Sequence, residues 1–340
     1  MPDHLPATTP PATPATPAVS ARAGELIGQR YAEGTATAYA QDRAAWEAAG
    51  VSIPTDPRDI VEVLTAWHDA GLSPATLTRR TASLSTLHSL AGYPSPAKSE
   101  AVRSVLIGIR RETARGEKRG RGQARAVTPA ELRRMIGEPR PVALPLRSTR
   151  GRLCADRAGN ADVLRHARDR AVLLLGFCAA LRRSELVALT TDDVKRDGSR
   201  GLLITLRRSK TDQEGKGATV AIPYGGLGTE TAEAVETWLA LSGITAGPLF
   251  VSVTRHGTLG RSITPEAVNR IVQARAAAAG VDAAGLSAHS LRAGYVTAQA
   301  ARNVPEYRIQ TVTRHRSAEV LRAYIRAATI MDRTPDLVLD

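Results

Sequence analysis

The sequence predicts a mainly α-helical protein with a small antiparallel β-sheet. The expected layout is a helical N-terminal domain followed by a larger mixed α/β domain. Three observations lead there. The chain has 340 residues, which suggests two domains rather than one. Helix-start signals, a small polar residue followed by proline, recur along it. A strand pattern stands out only between Leu202 and Pro223.

The elements follow in order. Residues 1–20, "MPDHLPATTPPATPATPAVS", are a Pro/Thr/Ala tract too poor in large apolar residues to order itself, and read as a disordered tail. Residues 21–111 form the helical domain. An early helix carries Thr37, Tyr39 and Trp46. Asp56-Pro57 opens a helix that carries Ile60, Val61, Val63, Leu64 and Trp67, and Ser73-Pro74 opens another with Leu77, Leu84, Leu87 and Leu90. Residues 112–127 are expected as a basic linker. Between Arg110 and Arg125 stand seven basic residues (Arg110, Arg111, Arg115, Lys118, Arg119, Arg121 and Arg125) against Glu112 and Glu117. A solvated tether and a segment tracking a phosphate backbone share this composition.

The second domain, residues 128–340, opens on the capping-box pattern Thr128-Pro129-Ala130-Glu131. A Pro-rich stretch follows Glu138, and a strong helix is expected from about Leu164 onward into "LLLGFCAALRRSELVALT" (173–190). Leu202–Arg208 and Ala218–Pro223 read as strands around the turn "SKTDQEGKG". Helices are expected at Thr231–Leu241, at Pro265–Ala279 after the Thr264 cap, near His289, near Pro305, and around Tyr324.

Lys and Arg number 46 against 33 Asp and Glu, a net charge of +13 that points to a polyanion, with nucleic acid ahead of an anionic membrane. The two cysteines, Cys154 and Cys178, offer neither a disulfide framework nor zinc-ligand spacing, and Cys178 reads as a small buried hydrophobe. No stretch reads as a membrane span or a signal peptide, so a cytoplasmic protein is expected.

Charge inside the apolar run 173–190 needs a reason, because an unpaired buried charge is costly. Arg182, Arg183 and Glu185 interrupt it. Three more polar islands follow: Lys210 in the strand turn, "HSLRAGY" with His289 and Arg292 on one helix face, and "RHRSAEVLRAYIR" with His315 nine residues before Tyr324. Each has an ordinary reading: a structural ion pair, a turn lysine, a capping histidine, a core tyrosine. Together they have a chemical logic. Arginines can grip one phosphate, histidines can bond it or relay protons, a lysine can protonate a leaving oxygen, and a tyrosine can be a covalent nucleophile. On that logic the anion facing Arg182 is a ligand's phosphate, and Glu185 holds the local geometry.

The order Arg…Lys…His-x-x-Arg…His…Tyr, with "LRRSEL" and "HSLR", resembles the tyrosine recombinase (phage integrase) family, over residues 25 to 330. The resemblance implies a helical core-binding (SAM-like) domain and a mixed α/β catalytic domain. It implies Arg182, Lys210, His289, Arg292 and His315 as the assisting set, Tyr324 as nucleophile and Glu185 as support. Arg115, Lys118, Arg119, Arg121 and Arg183 are expected on the DNA backbone. Ala180 and Arg314 stand where the family has glycine, and Ala293 where many members have a second histidine. Tyr295 and Tyr307 lack the spacing from His315.

The implied activity is site-specific recombination of double-stranded DNA through a 3′-phosphotyrosyl intermediate, with no cofactor, metal or ATP. It also implies a homotetramer on two DNA sites, no membrane partner, and a bacterial, phage or mobile-element origin; accessory proteins are left open. A type IB topoisomerase shares the covalent chemistry, and a non-enzymatic DNA-binding protein could share the scaffold. The C-terminal run Leu337-Val338-Leu339 could pack on its own chain or on a neighbour.

Overall fold

A computed structural model of the chain describes residues 31, 33–116, 124–138, 157–207, 217–314, 319, 321, 322, 324 and 325. The 1–20 tail, Lys118, Arg119, Arg121, Cys154, Lys210, His315 and Leu337–Leu339 lie outside them. The chain divides into two compact units, Met1–Gly122 and Gln123–Asp340.

The first unit holds helices α1 (Glu33–Ala48), α2 (Pro57–Asp69), α3 (Pro74–Leu90) and α4 (Glu100–Arg115). The anticipated caps form. The Asp56 carboxylate accepts the Arg58 N–H at 2.7 Å, and the Ser73 hydroxyl accepts that of Thr76 at 3.2 Å. Each satisfies a donor that the first turn leaves without a helical partner. The buried faces of the helices meet on Trp46, Ile60, Leu64, Leu77, Leu84, Val102 and Ile109. Trp46 lies 4.5 Å from Trp67 ring to ring, and the Arg80 guanidinium stacks 4.1 Å from the Trp67 centroid. Helix α4 runs to Arg115, into the segment expected as linker, because Glu112–Arg115 continue its ladder of hydrogen bonds.

The second unit is mixed. Its helices are α5 (Pro129–Ile136), α6 (Arg157–Cys178), α7 (Arg183–Ala188), α8 (Leu227–Ser242), α9 (Pro265–Ala278), α10 (Ala288–Ala301) and α11 (Glu306–Thr313). Strands β1 (Val194–Asp197), β2 (Gly201–Leu206) and β3 (Ala218–Pro223) form an antiparallel sheet in that order, with Leu203 opposite both Lys195 and Ala221. Strands β4 (Val251–Val253) and β5 (Leu259–Ser262) form a separate hairpin. The fold class is therefore mainly helical with two small antiparallel sheets. The strand expected at Leu202–Arg208 ends at Leu206, because the Arg207 side chain turns to the buried Asp193 carboxylate at 2.7 Å.

Two expected elements shift. Helix α6 begins at Arg157, before Leu164, and it does not continue through residues 173–190. It stops at Cys178, and α7 starts afresh at Arg183. Helices α6 and α8 pack against each other and, with β2 and α10, bury the core that holds Leu173, Trp238, Phe250 and Leu291. The end of the expected linker belongs to this unit too. Val127 is buried and donates its N–H to the Ser290 carbonyl at 3.0 Å. A Cβ on Gly294 would meet the Val127 oxygen at 2.1 Å, so only glycine lets α10 approach this closely. Arg125, counted with the linker's free charge, instead bonds Glu131 and the Asp282 carbonyl, both at 2.7 Å.

Candidate active site

The interruption in the apolar run is a junction between two helices. Helix α6 closes in a Schellman motif: the Ala180 N–H bonds the Phe177 carbonyl at 3.0 Å and the Leu181 N–H bonds that of Gly176 at 3.1 Å. The motif needs a left-handed residue, and Ala180 takes that role at φ 47°. Arg182 then caps α7. Its N–H bonds the Glu185 carboxylate at 2.9 Å, which satisfies one of the free donors of the new helix.

Glu185 is the hub of the site. Its side chain is 1% exposed and takes the Arg182 guanidinium at 2.7 Å on one oxygen and the Arg314 guanidinium at 2.8 Å on the other. The expectation that Arg182 faces only a ligand is thus corrected: the anion beside it here is Glu185. The physical reason is burial, since a carboxylate this enclosed needs cationic partners. Arg182 keeps 20% of its side chain exposed, so it remains reachable from outside.

Arg292 is 2% exposed on α10. It donates to the Ala180 carbonyl at 2.6 Å and to the Thr313 carbonyl. It thereby joins the end of α6 to the end of α11, where Arg314 is also left-handed at φ 55°. Burial, with Arg182 next in weight, brings its guanidinium down to about 9, so it stays charged at neutral pH.

His289 stands one turn before Arg292. Its Nε2 lies 3.1 Å from the Tyr324 hydroxyl. Part of its surface is exposed, yet crowding by the protein and then by Arg292 and Arg182 holds the imidazole below its ordinary 6.5. Tyr324 is 7% exposed and packs with Val296, Ile309 and Leu321; the described residues around it are helical, as expected.

Of the expected set, Arg182, Glu185, His289, Arg292 and Tyr324 thus converge, while Lys210 and His315 lie outside the described residues. Of the expected DNA-backbone residues, Arg115 is exposed at the end of α4. Arg183 is exposed too, with Glu266 at 3.6 Å. The rival tyrosines differ in kind: Tyr307 is 65% exposed, and burial pushes the Tyr295 hydroxyl up to about 12. Cys178 is half-buried, and its thiol is pushed up to about 11 by burial. Arg314 gave no sign of its place here beyond standing where glycine is usual.

Among the described residues no group of three or more His, Cys, Asp or Glu is placed to hold a metal ion, and no helix is long and apolar enough to cross a membrane.

A mainly helical chain with clustered guanidiniums beside a tyrosine and an imidazole has the make-up of an enzyme acting on phosphodiesters. Comparison with known proteins gives the family. The phage integrase family model matches residues 159–330. An integrase/recombinase xerD homolog of Selenomonas ruminantium is 30% identical over 322 residues, covering 92% of this chain and 87% of that protein. The recombinase cre of Escherichia phage P1 is 25% identical over 65% of this chain and 58% of its own length. In fold, the chain is similar to the Tn1549 transposon integrase in complex with transposon right end DNA, with a TM-score of 0.58 at 14% identity, over 92% of this chain and 97% of that one. The chain belongs to the phage integrase family, the tyrosine recombinases. It is an enzyme of site-specific DNA cleavage and rejoining.

Proposed function

We propose that Tyr324 is the nucleophile of this recombinase and that the residues around it divide the work of one phosphoryl transfer. The contact between His289 Nε2 and the Tyr324 hydroxyl, 3.1 Å, carries the reading. An imidazole kept toward its neutral form by burial, and then by Arg292 and Arg182, can accept the phenol proton as the oxygen attacks phosphorus. Arg182 and Arg292 meet the charge that builds on the non-bridging oxygens. A guanidinium has five N–H donors, so the two backbone bonds of Arg292 leave donors for phosphate. The P–O5′ bond breaks as the P–OTyr bond forms. Lys210 protonates the departing 5′-oxygen, and His315 bonds the phosphate.

The phosphotyrosine keeps the bond energy, so a 5′-hydroxyl of a second duplex reverses the step without ATP. Exchange between two duplexes calls for a homotetramer on two double-stranded sites, working in the cytoplasm. Arg115, Lys118, Arg119, Arg121 and Arg183 hold the DNA backbone, with residues 21–111 as the core-binding domain. The relatives named as recombinases and the DNA-bound integrase fold support this reading.

The test uses a nicked duplex selected from a random-sequence pool by adduct formation with the wild-type enzyme. Tyr324→Phe removes one oxygen and is expected to bind this duplex as before while forming no covalent adduct. Adducts at the wild-type level would transfer the role to Tyr307 or Tyr295.

A further inference from the structure

Arg314 is a third guanidinium in the site, with no part in the mechanism above. Its side chain is 12% exposed and lies 2.8 Å from Glu185. A second bond, to the Val312 carbonyl at 2.9 Å, fixes the same guanidinium, while its Nε is buried with no hydrogen-bond partner. Its backbone is left-handed, a conformation that strains a non-glycine residue. Strain of this kind persists where the surroundings over-determine it.

The charges explain what the arginine adds. Glu185 alone with Arg182 makes a neutral pair, and its carboxylate cancels the positive field just where an anion must bind. We propose that Arg314 is a positioning residue that neutralises Glu185, so that the carboxylate can fix Arg182 without cancelling its charge toward phosphate. Arg182, Arg292 and Arg314 against Glu185 leave a site of two net positive charges. Attack by the Tyr324 oxygen, its proton passing to His289, adds negative charge to the non-bridging oxygens, which the charge preserved by Arg314 stabilises.

The inference rests on the reading that Arg182 meets the scissile phosphate. The experiment is single-turnover cleavage of the selected nicked duplex in two backgrounds, Glu185 and Glu185→Gln. Arg314→Met is expected to slow cleavage roughly tenfold or more when Glu185 is present, and less than about twofold when glutamine replaces it. Arg314→Lys, which keeps the charge, is expected to retain most of the rate. An equal loss in both backgrounds, or an Arg314→Lys as slow as Arg314→Met, overturns the proposal.

Thermal melts by circular dichroism accompany every variant. Should Arg314→Met alone fail to fold, the Arg314→Met/Glu185→Gln protein decides: cleavage at the rate of Glu185→Gln supports the proposal and slower cleavage overturns it. Arg182→Ala and Tyr324→Phe run alongside. Adducts from Tyr324→Phe, or undiminished cleavage by Arg182→Ala, defeat the underlying reading and this inference with it. Loss in both controls, with no dependence on background, defeats the inference alone.

Discussion

At the site, His289 is the candidate proton acceptor, and its surroundings favour the neutral imidazole. Its folded value lies below 6.5, so it is neutral and able to take a proton across the neutral range. Single-turnover cleavage is expected to be level across neutral pH and to fall, with the slope of one proton, as pH drops through the folded value of His289, on the acid side of 6.5. His289→Gln keeps a polar group but accepts no proton; it should be slower and should lose that acid limb. A limb that survives in His289→Gln would assign the titration to another group. Stability runs the same way. The unfolded chain takes up the proton first, so this group's share is full above 6.5 and is lost as pH falls toward the folded value. His289 and Arg292, three residues apart, were legible as one helix face, and the family resemblance supplied Tyr324. The Arg314 partner of Glu185 and the carbonyls that hold Arg292 were not. A carboxylate paired across 129 residues and a guanidinium on main-chain carbonyls leave no trace in local pattern.

At the scale of elements, the side-chain-capped helix starts were readable, whereas the start of α6 and the ends of α4 and α6 were not. Asp56, Ser73 and Thr128 act locally, each on a donor two or three residues ahead. The end of α6 is different, because alanine at the left-handed position hides the stop that glycine would announce. Strands β1, β4 and β5 are three or four residues long, too short for alternation to reveal them. Their pairing partners define them. The α6–α7 junction makes a prediction of its own. Replacing Ala180 with glycine relieves about 1–2 kcal/mol of left-handed strain. It also removes a fully buried methyl worth about 0.8 kcal/mol. Glycine also gains freedom in the unfolded chain, worth about 0.4–1 kcal/mol, so the contributions nearly cancel and the midpoint of thermal unfolding of Ala180→Gly should stay within a few degrees of the parent. A clear fall would mean that the alanine methyl matters more to packing than its backbone costs.

For the whole molecule, the net charge of +13 and the basic segment between the two units predict a strong salt dependence of DNA binding. Neutralising Arg115, Lys118, Arg119 and Arg121 together should weaken binding at every sequence alike. The slope of log affinity against log salt should flatten by roughly 0.9 for each phosphate that no longer has a basic partner. An unchanged slope would make the segment a tether. Arg292 has a consequence at this scale. Its two backbone bonds reach across 112 and 21 residues of chain, back to the end of α6 and forward to the end of α11. During synthesis the forward anchor leaves the ribosome after most of the catalytic unit has been made. A nascent chain, or one clipped before α11, therefore carries Arg182, Arg292 and His289 without the carbonyl that seats Arg292, without Arg314 and without Tyr324. With Tyr324 as the proposed nucleophile, DNA cleavage is expected only from chains that extend through α11 and Tyr324, which a truncation series assayed for covalent adducts checks.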